Sequence, residues 1–366
     1  MITLRDGRSA GFITESGAPE PTGLMHIDDA MRADDALRLL RAGKLLLWVG
    51  DYRNGRNLLG ALKRRLKPRM QASSAMDLRD RWRQQRAETR TTAELLGNVL
   101  VVVEPSGQLN LPRAPETGVA VELAWGRADG PRVVALNTLV GALGAAEWTR
   151  KGIEIPGLSG RLEPRYGVFS PTRPAYVELV AHLDVEGKSV MDVGCGTGVL
   201  GLLLLQRGAR SVIGTDLDPR AVECASSNAE RLGLGDRFHA VEADLFPEGE
   251  RADCVVFNAP WVPETPRTRL DRGVFDEGGA TLRRFIADVS NHLSEDGVAA
   301  LLISDLPERL GLRGPGEIEQ MVAESGMQVL STTDTPAAHG RARDISDPLH
   351  VARAAERIKM LVLARE

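Results

Sequence analysis

Asp192-Val193-Gly194-Cys195-Gly196-Thr197-Gly198 joins an apolar, strand-length run, Ser189 to Val193, to an apolar, helix-length one, Val199 to Arg207. Glycines at alternate positions let the chain turn tightly and bring its backbone close to a ligand. Gly196, Gly198 and Gly201 also satisfy the G-x-G-x-x-G spacing of a dinucleotide site, a weak signal by itself. Asp192 separates the two possibilities, because a carboxylate beside the turn repels a pyrophosphate and attracts an ammonium group, directly or through water. The stretch therefore predicts a strand, turn and helix that hold a cofactor lacking phosphates and bearing a cation. Asp192, Gly194, Cys195, Gly196 and Gly198 line that turn.

Around the turn, apolar strand-length runs alternate with helical ones, the signature of a parallel sheet with crossover helices. Strands are expected at Ser189 to Val193, Ser211 to Thr215, Phe238 to Glu242, Asp253 to Phe257, Val298 to Ile303, Met327 to Ser331 and Lys359 to Ala364. This is an α/β, doubly wound, Rossmann-like sheet of seven strands, in which ligands collect outside the carboxyl ends. Asp216 follows the second strand, 18 residues beyond Gly198, where its two oxygens can accept both hydroxyls of a ribose, with Leu217 beside it. A helix N-cap role suits Asp218 better. Asp244, after the third strand, is placed to accept from an adenine amino group while Leu245 or Phe246 packs on the ring. Phe246 suits a core role equally.

As an ordered set these residues resemble the class I S-adenosylmethionine-dependent methyltransferases, over about Tyr166 to Glu366. The resemblance implies S-adenosylmethionine as cofactor and a methyltransferase activity. After the fourth strand stands Asn258-Ala259-Pro260-Trp261, then Val262-Pro263. It is similar to the Asn-Pro-Pro-Tyr/Phe/Trp motif of enzymes that methylate planar nitrogen: release-factor glutamine, adenine N6 and ribosomal RNA guanine N2 methyltransferases. In those families the Asn side-chain oxygen and the next residue's carbonyl accept hydrogen bonds from the target NH2, which turns a delocalised nitrogen toward the methyl group. Ala259 departs from the motif. It supplies the same carbonyl but leaves the loop less preset than proline does. Asn258, Ala259, Pro260 and Trp261 are thus the catalytic candidates, with Asn258 also facing the cofactor and Trp261 stacking on a planar acceptor.

Upstream, Tyr166-Gly167-Val168-Phe169-Ser170-Pro171-Thr172-Arg173-Pro174 resembles the segment that closes over the cofactor in the glutamine and guanine enzymes. It offers Phe169 and Thr172 to the cofactor and Arg173 to the substrate. Downstream, Asp271 to Gly279, with Phe275, is a glycine-rich loop suited to line the acceptor pocket. Pro336 to Ala355 is longer than a hairpin connection needs and suits a polar lid, with His350 as its candidate base.

The first half has a different texture. Residues 1–27 are rich in Gly, Pro and Thr and read as a loose leader. Residues 28–155 read as a smaller mixed α/β N-terminal domain for substrate recognition, and 156–366 as the catalytic domain. In the former, helices are expected at Asp34 to Arg41, Asn54 to Leu66 and Asn137 to Lys151, and strands at Lys44 to Val49, Val99 to Val103 and Val119 to Ala124. Lys63 to Arg90 carries ten basic residues against three acidic ones, which suits either a solvated helix or a phosphate contact.

Composition narrows the function classes. The 366 residues are 43% hydrophobic and 26% charged, with a net charge of -4, which gives no global pull toward nucleic acid. No apolar run reaches the roughly 20 residues of a membrane span. Cys195, Cys224 and Cys254 show no disulfide or zinc spacing, and a reducing cytoplasm fits. The expectation is N-methylation of a small-molecule or peptide acceptor, without metal or membrane. Ribosomal RNA is the alternative acceptor, and a non-catalytic cofactor-binding scaffold a third possibility.

Overall fold

The computed structural model describes residues 2–15, 23–67, 76–170, 174–268, 270–337 and 339–366. They fall into two compact units. One holds residues 1–74 with Trp82–Glu147, the other residues 75–81 with Trp148–Glu366.

The first unit is built on β1 (Ile2–Thr3), β2 (Ser9–Ile13), β3 (Leu24–Ile27), β4 (Leu45–Trp48), β5 (Val99–Val103) and β6 (Arg132–Ala135), in the order β1-β2-β6-β5-β4-β3. Its helices are α1 (Ala33–Arg41), α2 (Tyr52–Leu66), α4 (Gly118–Trp125) and the greater part of α3 (Leu78–Gly97) and α5 (Leu136–Lys151), whose outer ends, 78–81 and 148–151, belong to the other unit. Three strands therefore lie inside the expected loose leader. They are two to five residues long, too short to show a period, and Gly7, at φ +83°, turns the chain between the first two. Val119 to Ala124, expected as a strand, is helical instead. Short apolar runs do not separate the two states by pattern, and here Val119 and Leu123, four apart, share an exposed face while Ala120 and Val121 are buried.

The second unit begins with a ribbon of β7 (Ile153–Glu154) and β8 (Arg161–Leu162), then α6 (Pro174–Val180). There follow β9 (Ser189–Val193), α7 (Val199–Gln206), β10 (Ser211–Asp216), α8 (Pro219–Arg231), β11 (Phe238–Glu242), β12 (Ala252–Asn258) and α9 (Ala280–Asp288). The chain ends through β13 (Leu293–Ser304), α10 (Leu306–Arg309), α11 (Glu317–Glu324), β14 (Met327–Pro336), α12 (Gly340–Arg343), α13 (His350–Ala354) and β15 (Arg357–Arg365).

Strand order is β11-β10-β9-β12-β13-β15-β14, parallel except for β15, which runs antiparallel to both neighbours. A parallel sheet must be covered on both faces. One core gathers α6 and α7 residues such as Tyr176 and Leu203; the other gathers α9 and α11 residues such as Phe285 and Ile318. Helix α7 is apolar all round, with seven residues buried from Val199 to Leu205, as befits a helix inside a core. Strand order reverses between β9 and β12, and the crevice outside their carboxyl ends is where such sheets bind ligands. Register brings Val193 level with Thr215 and Phe257, and Asn258 level with Leu302.

Candidate active site

The turn after β9 needs glycine. Gly194, Gly196 and Gly198 have φ of +64°, +54° and +79°, a region where side chains are strained. Beneath them Asp192 is 1% exposed, and its Oδ2 accepts the amide of Gly201 at 2.9 Å. Burial, with Asp216 nearby adding to it, pushes the Asp192 carboxyl up to about 7. Asp216, at the end of β10, is also buried enough to be raised; its Oδ2 accepts from Gly196 N at 3.0 Å and its Oδ1 from Asp218 N at 2.9 Å. The N-cap of α8 is Asp218, which accepts from Arg220 N. Leu217 is exposed. Cys195 is buried and its thiol is raised well above the usual range by that burial, so it lines the turn as an apolar wall.

Past β11, Leu245 is held at φ +70°, and the buried Thr215 hydroxyl donates to its carbonyl at 2.7 Å. Asp244 Oδ2 accepts from Arg284 at 2.9 Å on the surface. Phe246 stacks on His292, with centroids 4.3 Å apart, and on Phe285 at 5.5 Å. Both neighbours of Asp244 on this side pack on the core, Leu245 as a buried member and Phe246 as a partly buried one.

At the end of β12, Asn258 Oδ1 is buried and has no hydrogen-bond partner among the described residues. Ala259 is buried, and Trp261 is half-buried against both cores. The following residues pair with the downstream loop: Val262 bridges Phe275, its N–H donates to Val274 O at 3.0 Å, and Asp276 N donates to Val262 O at 2.9 Å. Asp276 in turn caps α9, accepting from Thr281 N and Leu282 N. Phe169 completes the group. A Cβ added at Gly273 would meet its ring at 3.2 Å, and one at Gly196 would lie 3.9 Å from its carbonyl. Sequence-distant segments around 169, 196, 258 and 275 thus converge on one edge of the sheet.

Comparison with known proteins gives the family. The ribosomal protein L11 methyltransferase (PrmA) family model matches residues 171–259, which span the glycine turn, Asp216 and Asn258. A Methanocaldococcus jannaschii protein named as a candidate protein N5-glutamine methyltransferase is 32% identical over 161 residues, 42% of this chain and 80% of that one. The chain belongs to the S-adenosylmethionine-dependent methyltransferases. The ribosomal protein L11 methyltransferase of Vibrio parahaemolyticus is 35% identical over 118 residues, 32% of this chain and 40% of that one, so the chain spans less than half of that relative. The crystal structure of the ribosomal protein L11 methylase of Lactobacillus delbrueckii subsp. bulgaricus superposes with a TM-score of 0.37 at 22% identity, over 52% of this chain and 76% of that one. Strand order, not this superposition, defines the fold.

The residues of this methyltransferase fit S-adenosylmethionine: the turn has no Cβ at three positions, and two carboxyl groups, Asp192 and Asp216, stand against it with Cys195 as an apolar wall. Thr172 and Arg173 lie outside the described residues. His350 opens α13, and its Nδ1 is buried without a partner among the described residues. The insertion that carries it is pinned: Ser304 Oγ donates to Glu356 Oε1 at 2.6 Å and His339 Nε2 lies 2.9 Å from Glu356 Oε2, so this segment is anchored at the carboxyl end of β13. Thr215, Arg284 and Arg313 also bear on this edge through their contacts with Leu245, Asp244 and Trp261. A threonine in an apolar strand does signal a buried hydroxyl that needs a partner, whereas the two arginines are defined only by long-range contacts. Among the described residues no group of three or more His, Cys, Asp or Glu is placed to hold a metal, and no helix is long and apolar enough to cross a membrane.

Proposed function

We propose that this methyltransferase modifies a planar amide nitrogen of a peptide or protein acceptor, held by Asn258 and the Ala259 carbonyl. The observation that carries this is the orphaned Asn258 Oδ1. An unmet buried acceptor costs about 1 to 3 kcal/mol, and a substrate N–H relieves that cost. Bound S-adenosylmethionine supplies an electrophilic methyl group on a sulfonium. Asp216 is proposed to hold its ribose, Asp192 its ammonium, and Asp244 with Leu245 its adenine, while Phe169 closes over it.

Asn258 and Ala259 then orient the acceptor. Accepting both N–H groups fixes the amide plane and presents the nitrogen in line, which can supply several of the roughly 7 to 11 kcal/mol available from positioning. The N–CH3 bond would form as the S–CH3 bond breaks, leaving a neutral thioether, and the nitrogen would then give its proton to water, so no strong base is required. Trp261 and Phe275 are proposed to flank the acceptor plane, and His350, with its unmet Nδ1, is a further candidate to meet the acceptor. The N-terminal α/β unit is proposed to select the acceptor. Named activities of relatives on glutamine and on ribosomal protein L11 support an amide or protein target over an RNA base.

Transfer of tritiated methyl from S-adenosylmethionine into fractionated lysate of a deletion strain tests this. Label in protein, mapped to an amide side chain by mass spectrometry, is the expected result, and label on an amino group would overturn the amide assignment. Label confined to ribosomal RNA, with steeply salt-dependent binding, would overturn it.

A further inference from the structure

Ala259 leaves the Asn258–Trp261 turn without the first proline of the motif it resembles, yet Ala259 is 2% exposed and the turn is part of the core. Something else must restrain it. Besides the pairing of Val262 with the downstream loop, Arg313, on the glycine-flanked loop after α10, reaches the turn directly. Its side chain is 4% exposed, its Nη2 donates to the main-chain oxygen of Trp261 at 2.9 Å, and its Nη1 lies 3.4 Å from Glu308 Oε1. The loop is itself fixed, since Leu312 N and Arg313 N both donate to Pro307 O. Beside it a cavity of about 190 Å³ is lined by Pro263, Leu282, Arg313 and Met321, so the guanidinium borders open space on one side while it reaches the turn. A planar guanidinium fits both jobs at once, one nitrogen to a carbonyl and another to a carboxylate, whereas an ammonium on a flexible stem serves as a single point donor.

We propose that Arg313 is a positioning residue for methyl transfer: its hydrogen bond to Trp261 O sets the turn that presents Asn258 Oδ1 and the Ala259 carbonyl to the acceptor, in place of proline's fixed backbone angle. Glu308 holds Arg313 in that direction. The proposal rests on the acceptor-holding role of the turn, and its test separates the two.

The test uses the full chain with Arg313→Met and Arg313→Lys, each alone and combined with Ala259→Pro. Hydrogen exchange read by mass spectrometry over residues 258–263 should accelerate in Arg313→Met, less so in Arg313→Lys, while exchange in α7 and β9 and calorimetric affinity for S-adenosylmethionine stay at wild-type levels. With tritiated S-adenosylmethionine and a short glutamine-containing peptide, kcat should fall about ten- to hundredfold, the scale of an ångström-size misplacement, with the KM for the cofactor unchanged. Ala259→Pro should restore part of the lost kcat and slow the exchange in both arginine variants. Unaltered exchange in both variants overturns the proposal, as does acceleration spread evenly over the unit, or failure of Ala259→Pro to recover anything. If Asn258→Ala leaves turnover intact, the acceptor role of the turn fails instead, and the exchange data still decide what Arg313 does.

Discussion

Thr215 Oγ1 donates to the main-chain oxygen of Leu245 across 2.7 Å of buried space, and Leu245 is one of two non-glycine described residues with positive φ. The left-handed region costs a leucine about 1 to 2 kcal/mol, so the surroundings must hold it there. Thr215→Val keeps the shape of the strand but strands that carbonyl. Urea unfolding should show a loss of about 1 to 3 kcal/mol. Because Leu245 sits at the proposed adenine edge, S-adenosylmethionine should also bind more weakly; unchanged calorimetric affinity would make the hydroxyl purely structural.

Asp192 links stability to pH. Its ordinary value is 3.8 and burial raises it to about 7. The folded chain therefore holds a proton that the unfolded chain has released, and the contribution of this group is full below about pH 4 and falls as pH rises to about 7. At 1.36 kcal/mol per pH unit the gap amounts to about 4 kcal/mol above that window. Asp192→Asn can still accept from Gly201 N and never ionises. In thermal melts of the ligand-free protein, the variant should outlast wild type at pH 8, with the difference shrinking by pH 5, while its affinity for S-adenosylmethionine drops. Identical melting at pH 8 would count against burial as the cause.

Position along the chain is legible locally: the turn after β9, the carboxylate ending β10 and the Asn ending β12 all stand at strand ends whose apolar runs are visible. Two kinds of feature were not legible. Very short elements, such as β1 at Ile2–Thr3, have too few residues to show a period, and the eight-residue run of α4 fits either state. Contacts between distant segments leave no local trace at all: Arg313 and Trp261 are 52 positions apart, and Phe246 shows its core role only once His292 is stacked on it.

Gly201 marks where α7 meets the sheet. A Cβ there would lie 2.7 Å from Phe238, 2.8 Å from Val212 and 3.2 Å from Asp192 Oδ2, although the backbone is helical and otherwise favours alanine. Helix propensity would favour Gly201→Ala by about 1 kcal/mol, and overpacking opposes it by about 1 to 3 kcal/mol. The clash should win, giving a lower melting temperature, and the shift of α7 should disturb Asp192 and cofactor affinity together. A stabilised variant would show that Phe238 and Val212 yield freely.

Asn258 sets stability against turnover. Its Oδ1 is a buried acceptor without a partner among the described residues, so the folded, ligand-free protein gains nothing from that oxygen. Asn258→Ala removes the unmet group, and removing it recovers up to the roughly 1 to 3 kcal/mol that such a group costs, offset by the space left behind. The variant should therefore melt at or above the wild-type temperature and bind S-adenosylmethionine with little change. Methyl transfer should collapse, because the acceptor loses one of the two groups that orient it. Asn258→Asp retains the oxygen but adds a charge to a site already carrying Asp192 and Asp216, so it should recover less turnover than its shape suggests. A loss of melting temperature in parallel with turnover in Asn258→Ala would instead assign the residue to the scaffold, and unchanged turnover would remove it from the chemistry.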